Sequence, residues 1–494
     1  MPEKSITYFF VILCGIMISL SACQEEVIAT DSNIPLRFSL DTLRFDTVFT
    51  QAGSATRFFK IYNDLEETVI INSISLDKPS GSFFRINVDG IQMNAVENIR
   101  IEPTDSIYVF AEVTIDPDNP VSISPFFIEE NVNFKVNDSD YSVLLEAWGQ
   151  NANYIPSRES GGTVNYVSCD FGTWTWDDPK PYVLYGVLLI DSCDLVLPPG
   201  TEVFVHGGIA INDLGVFNDG LLVLLENGSL VSNGTLEEPV TFQTDRLEME
   251  FEEVQGQWSG ILISQGSKGN VLSHTHVRNS IVGVSVDSAA SLRIESSIFA
   301  YTSGSGLTAS HANIYAENSL FYQNGGSGLS LNFGGDYLFN YCTIANYNNQ
   351  DPALNANNIK CLDADCATVL FNGLRGTFNN CIFTGNDDDE IGFFDISNGE
   401  DPFLFNYDFN NCVVTVDELL NADQFPNFFD NCKDCVTATR QDTVFLNVDE
   451  DIYSLDTMSV AQNKGSIIPF VTLDILEELR STTSPDIGCY ELID

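Results

Sequence analysis

His274, Glu295 and Glu317 are the residues whose types and spacing most readily suggest chemistry, falling 21 and 22 residues apart in a stretch that repeats at about that period. If each period is one extended turn of chain stacked on the last, adjacent carboxylates lie about 5 Å apart, the distance between neighbouring strands. That is near the separation at which one carboxylate attacks a glycosidic carbon while the other protonates the leaving oxygen. Mutual repulsion would raise one pKa, as a general acid requires. By strand alternation His276 points the same way as His274. On a chain this acidic the same column also reads as a solvated outer face. The densest acidic run, Asn386-Asp387-Asp388-Asp389-Glu390, offers oxygen ligands that could hold Ca²⁺, although its spacing is not that of an EF-hand. A solvated loop is the plainer reading of it. Cys361 with Cys366 and Cys432 with Cys435 are close pairs, and no second half-site at zinc-finger spacing accompanies the Cys-x-x-Cys. No other cofactor is implied.

The elements that must carry these residues are repeats. Gly260, Gly283, Gly306 and Gly328 recur in Ser-Gly-Ile/Leu or Val-Gly-Val phrases 23, 23 and 22 residues apart. His276-Val277, Ser297-Ile298, Ser319-Leu320 and Thr343-Ile344 recur half a period later. Short alternating runs joined by Gly, Asn and Ser turns form one rung of a parallel β-solenoid. One rung cannot bury its own inner face, so neighbours must stack on it. If Val277, Ile298, Leu320 and Ile344 face inward, alternation sends Thr275, Ser296, Asn318 and Cys342 inward too and leaves His274, Glu295 and Glu317 outside. Phe339-Asn340-Tyr341-Cys342 returns as Phe378-Asn379-Asn380-Cys381 and Phe409-Asn410-Asn411-Cys412, so these cysteines read as an interior ladder, with a rung-to-rung disulfide still open.

Tyr182 to Ile190, Leu197 to Phe204 and Gly234 to Phe242 resemble the rungs of right-handed β-helix proteins of the pectate-lyase-like superfamily. The resemblance implies that any chemistry lies on the outer face, with calcium-binding carboxylates and an Arg or Lys base, or with clustered aspartates and Gly-His-Gly and Arg-x-Lys phrases. None of these phrases is present. His206-Gly207-Gly208 lacks the leading glycine, Arg293-Ile294-Glu295 ends in the wrong charge, and Asp177-Asp178 has no basic partner in phase. Ser484-Pro485-Asp486-Ile487-Gly488-Cys489-Tyr490-Glu491 resembles the ending of the choice-of-anchor Q family of exported β-helix proteins, with Cys489 in place of the usual alanine and so a further candidate for a disulfide.

Ahead of the repeats, Leu43 to Phe49, Arg57 to Asn63, Thr68 to Leu76 and Ser106 to Ile115 are β-branched and aromatic runs punctuated by Gly, Asn, Asp and Pro. They predict a β-sandwich, and the phrases Phe59-Lys60-Ile61-Tyr62-Asn63 and Ile71 to Leu76 resemble abnormal-spindle-like immunoglobulin modules, which implies a spacer or interaction role. At the start, Lys4 precedes an apolar run from Tyr8 to Leu20, too short to span a bilayer and readable as a targeting segment. Leu20-Ser21-Ala22-Cys23 resembles a lipobox, which implies cleavage before Cys23 and acylation of that cysteine. Gln24-Glu25-Glu26 resembles the surface-export signal of Bacteroidota-type lipoproteins, so the outer membrane, facing outward, is the expected address, with the periplasmic face as the alternative.

The net charge of −49, from 21 basic and 70 acidic residues, argues against nucleic acid, whose phosphates demand clustered Lys and Arg. With 35 Phe the chain is not disordered. The expectation is an all-β protein: signal segment 1–22, tether 23–33, immunoglobulin-like sandwich 34–150, a linker from Gln150 to Gly162, right-handed parallel β-helix 165–445 and C-terminal cap 446–494. The expected role is non-enzymatic binding or adhesion at the cell surface, to carbohydrate or to host or neighbour-cell material. A polysaccharide lyase or glycosidase on the outer face and a passive stalk are the alternatives.

Overall fold

In the computed structural model the described residues are 27–49, 54, 56–115, 126–213, 215–347, 349–397, 401, 403–421 and 425–493. Cys23, the signal segment and the start of the tether lie outside them. The chain divides into two compact units, Met1–Asn151 and Ala152–Asp494.

Among its described residues the first unit pairs two five-stranded sheets. One runs in the order Arg37–Phe38, Arg57–Tyr62, Ser106–Val113, Phe84–Val88, Ile91–Gln92 and is antiparallel throughout. The other holds Thr42–Phe49, Ser139–Gln150, Phe126–Val136, Val69–Leu76 and Ala95–Ile101, with its first pair parallel. Alternate side chains of both sheets, among them Phe59, Ile61, Ile71, Phe84, Val109 and Phe134, meet in one core, as a period of two requires.

The second unit is a parallel β-helix. Among the described residues one sheet stacks eleven strands, beginning Asn153–Ile155, Tyr182–Leu184, Glu202–Val205 and ending Val413–Val414, Val436–Thr437. A second long sheet carries the strands Asn270–Ser273, Ser291–Glu295, Leu307–Glu317, Leu329–Asn340 and Leu374–Asn379, all in parallel register. The first rung already takes in Asn153–Ile155, inside the stretch read from sequence as a linker.

Two expectations about this unit are corrected. The inward columns are Val277, Phe299, Phe321, Ile344 and Thr275, Ser297, Ser319, Cys342; Ile298 and Leu320 face outward, one residue from where alternation placed them. The reason lies in the C-terminal segment. It does not plug the end of the solenoid but lies along the outer side of the eleven-stranded sheet, where Leu320, Ile382 and Val413 pack against Tyr453, Ala461, Ile487 and Cys489. Those strands are therefore apolar on both faces, and the alternation signal is lost. The far end is closed instead by Leu419, Phe425 and Phe428, the last stacked on Tyr407 at 5.7 Å.

The described cysteines settle into two groups. Cys169–Cys193, Cys361–Cys366 and Cys432–Cys435 are disulfides. Cys342, Cys381, Cys412 and Cys489 are buried thiols. The interior ladder is thus formed by thiols, with Cys381 N–H directed at Cys412 Sγ at 3.4 Å. Cys489 gains no disulfide partner; its backbone N–H donates to Thr343 Oγ1 at 3.0 Å.

Candidate functional site on the outer face of the solenoid

Outward side chains on the second long sheet fall into columns because successive rungs are in register. Val271, Arg293, Tyr315, Leu338 and Thr377 form one column, and Asn313, Asp336 and Arg375 form another beside it. Inward neighbours such as Leu292, Ile294, Ile314 and Phe339 fill the core and fix the strands beneath. The two columns line an open groove of about 660 Å³, within the size range of ligand sites. Arg375 pairs with Asp336 at 2.5 Å, and the Arg293 guanidinium lies over the Tyr315 ring at 4.2 Å. Sequence reasoning passed over Arg293 as a base and missed Tyr315, Asp336 and Arg375 altogether. Their only signal is that they share an outward phase one strand apart.

Glu295 and Glu317 form the next column and are direct register partners, about 4.8 Å apart along the stack. Both are already engaged. Arg293 donates to Glu295, and its guanidinium reaches Glu317 at 3.9 Å. The Tyr315 hydroxyl donates to Glu317. Burial pushes the Glu317 carboxyl up, with the Glu295 charge adding to it and the Tyr315 hydrogen bond and Arg293 opposing it. Burial and the bond to Glu317 push Tyr315 up to about 12. The column continues as an amide ladder, Asn379 Nδ2 to Asn340 Oδ1 and Asn410 Nδ2 to Asn379 Oδ1, each 2.9 Å.

His274 does not belong to that column. Glu295 is in register with Ser273, and His274 is the corner residue between two sheets, with φ 44° like Ser296 at 45° and Asn318 at 48°. It still lines one small cleft with Glu295 and Glu317, closed on one side by residues 470–474. Its Nε2 is 3.4 Å from Glu477 Oε1. The corner also separates it from His276, which stands on the other sheet, in register with Thr241 and Ile298. Burial, with the charges of Arg278 and His274 adding to it, lowers His276 to about 4, so it is neutral at ordinary pH.

The acidic run, read from sequence as a solvated loop or a candidate holder of Ca²⁺, does not converge on one point. Glu390 is fully buried, accepting from the backbone N–H groups of Asp387 and Ala353, both at 2.9 Å. Asp389 accepts from the N–H groups of Asp417 and Leu419 at 2.9 and 3.0 Å. Asp388 and Asp387 turn to Arg440, at 3.1 and 3.9 Å. Among the described residues no group of three or more His, Cys, Asp or Glu side chains is placed to hold a metal ion, and no helix is long and apolar enough to cross a membrane.

Residues 259–414 match the family described as the right-handed beta helix region. No curated protein matches the chain. Among solved structures the chain is similar to XylC in complex with xylose, at 8% identity over 90% of this chain and 87% of that one, with a TM-score of 0.33. It is similar to the catalytic unit of a GH87 alpha-1,3-glucanase from Streptomyces thermodiastaticus at 10% identity over 72% and 73%, TM-score 0.30. A family 123 glycoside hydrolase from Clostridium perfringens is matched at 7% identity and TM-score 0.18; this chain spans 44% of its length with 37% of its own. At such distances none of the three bears on substrate or reaction. The stretch that holds the groove and the glutamate pair is, by its family match and its parallel register, a right-handed β-helix.

Proposed function

We propose that the chain is a lipid-anchored protein of the outer membrane whose β-helix binds a neutral polysaccharide at the surface without cleaving it. The observation that carries this reading is the groove of Arg293, Tyr315, Asp336 and Arg375 crossing consecutive rungs. A rigid stack of rungs suits a polymer, because successive sugars meet side chains at equivalent register positions on successive rungs and nothing needs to move. In a chain of net charge −49 the groove is close to balanced, since Arg375 faces Asp336 and Arg293 faces the two glutamates. That favours hydroxyl-rich, uncharged ligands over polyuronates. Glu295 and Glu317 act here by orienting Arg293 and Tyr315.

The test is a glycan array followed by a reducing-end assay on any hit. Arg293→Ala and Tyr315→Ala should each weaken binding about tenfold, a loss of roughly 1.4 kcal/mol, measured by titration calorimetry, with no reducing ends released by the wild type. Hydrolysis is the second reading, favoured by the raised Glu317 carboxyl one strand from Glu295. Reducing ends that disappear in Glu295→Gln would establish it and sink simple binding. A clean array would leave a stalk. The anchor has its own readout: Cys23→Ser should move the protein from the membrane to the soluble fraction, because the acyl chains supply the attachment. A variant that stays in the membrane refutes that part.

A further inference from the structure

The N-terminal sandwich, read from sequence as a spacer, carries an uncovered aromatic face. On the strand Arg57–Tyr62 the outward residues are Phe58, Lys60 and Tyr62, and on Ser106–Val113 they include Tyr108 and Phe110. Phe58 is 49% and Tyr108 37% exposed. The rings of Phe58, Tyr108 and Phe110 lie 5.3 to 5.8 Å apart, with Tyr108 and Phe110 within 13° of parallel. Register places Phe58, Phe110, Asn87 and Gln92 in one row across four strands, about 14 Å from end to end at the usual strand spacing. Two rings are followed by two amides. The amide end opens into a groove of about 720 Å³ lined by Arg85, Asn87, Gln92, Met93, Phe110 and Glu112. The Oδ1 of Asn87 is buried there with no hydrogen-bond partner among the described residues, which is costly unless a ligand supplies a donor.

We propose that this face is a second glycan-binding site, separate from the groove on the β-helix. Each feature selects the ligand. The exposed rings, Phe58 steeply tilted to the near-parallel pair of Tyr108 and Phe110, offer apolar surface to the C–H faces of pyranoses, and the row spans about three of them. The amides offer both a donor and an acceptor to hydroxyl groups, and the orphaned Asn87 oxygen requires a donor. Arg37 pairs with Asp64 at 2.8 Å and Arg85 with Glu112 at 3.8 Å, and Lys60 lies over the Tyr108 ring at 4.5 Å, so the face carries little net charge and suits an uncharged ligand. A second copy of the chain would bring −49 against −49, and charge repulsion opposes that pairing. A bound peptide strand would seek a sheet edge and not its face.

The experiment is affinity electrophoresis of the full chain through gels containing β-glucan, xylan or mannan. It uses an Arg293→Ala/Tyr315→Ala background, so that the β-helix groove is already disabled and the two sites fail independently. The background protein should still be retarded by at least one polysaccharide. Phe58→Ala with Phe110→Ala should cut that residual affinity about tenfold, and Gln92→Ala, on the rim, should weaken it even if the double substitution disturbs folding. The proposal is overturned if none of the three polysaccharides retards the background protein, or if the sandwich substitutions leave retardation unchanged. It is equally overturned if sedimentation shows a dimer that the same substitutions dissolve.

Discussion

Arg480→Met is expected to release the C-terminal segment from the flank of the β-helix, at a cost of about 3–5 kcal/mol, the usual price of leaving one partner of a buried ion pair alone. The Arg480 and Glu491 side chains are 2% and 7% exposed and 3.4 Å apart. The guanidinium also donates to Asn318 Oδ1 at 2.9 Å, the Gly488 carbonyl at 3.0 Å and the Leu473 carbonyl at 3.2 Å, and it lies over the Tyr341 ring at 3.8 Å. Burial alone pulls its pKa down, and the surrounding anionic groups oppose that pull. Methionine fills much of the volume but takes the counter-charge from Glu491, which keeps only the backbone N–H groups of Ser481 and Asp486, and takes the guanidinium's hydrogen bonds from Asn318 Oδ1 and the Gly488 and Leu473 carbonyls. Arg480→Lys keeps the charge and loses the fork, so it should fall between the two. Because the segment packs on the outside of the stack, the rungs themselves should survive. Limited proteolysis should therefore cut within the C-terminal segment first, and a hydrophobic dye should report Leu320, Ile382 and Val413 as they are uncovered. If Arg480→Met resists protease as the wild type does, the guanidinium is not what holds the segment down.

That arrangement explains what could and could not be read from sequence. The rungs were legible because their glycines are imposed by close approach: a Cβ on Gly260 would sit 2.0 Å from the Val282 carbonyl, and one on Gly283 2.3 Å from that of Gly306. The register was not legible at Ile298 and Leu320, because a strand covered on both sides is apolar on both sides. Glu295 and Glu317 were correctly paired, since 22-residue spacing within regular rungs preserves phase. His274 was not, because a left-handed corner residue breaks the alternation between two sheets. The acidic run looked like one cluster, yet Glu390 turns into the protein while its neighbours turn away, and composition carries no direction. Arg293, Tyr315, Asp336 and Arg375 escaped notice for a different reason. Each is ordinary on a solvated face, and only stacking brings them together. The same holds for Phe58 and Phe110, which in sequence are hard to tell from the core residues beside them.

Glu390 gives the second large effect, a loss of stability as pH rises. Its side chain is fully buried, and burial raises it from 4.5 to about 7, helped by the Asp387 charge and opposed by the N–H groups of Asp387 and Ala353 and by Arg440. In the unfolded chain it titrates near 4.5, so between 4.5 and 7 the folded protein holds a proton that the unfolded chain has lost. Stability is then fully present below pH 4.5 and is lost as pH climbs through 7, by about 3 kcal/mol in all from this group. Glu317 and Glu491 are raised as well and act in the same direction, so the wild-type profile alone would not isolate Glu390. Glu390→Gln does, because a carboxamide keeps the shape and one acceptor and never ionises. Urea midpoints measured from pH 4.5 to 8 should fall less steeply for the variant, and the two curves should draw together or cross near neutrality. Parallel curves would mean that Glu390 keeps an ordinary pKa and that the loop around it opens to water before the carboxyl has to ionise.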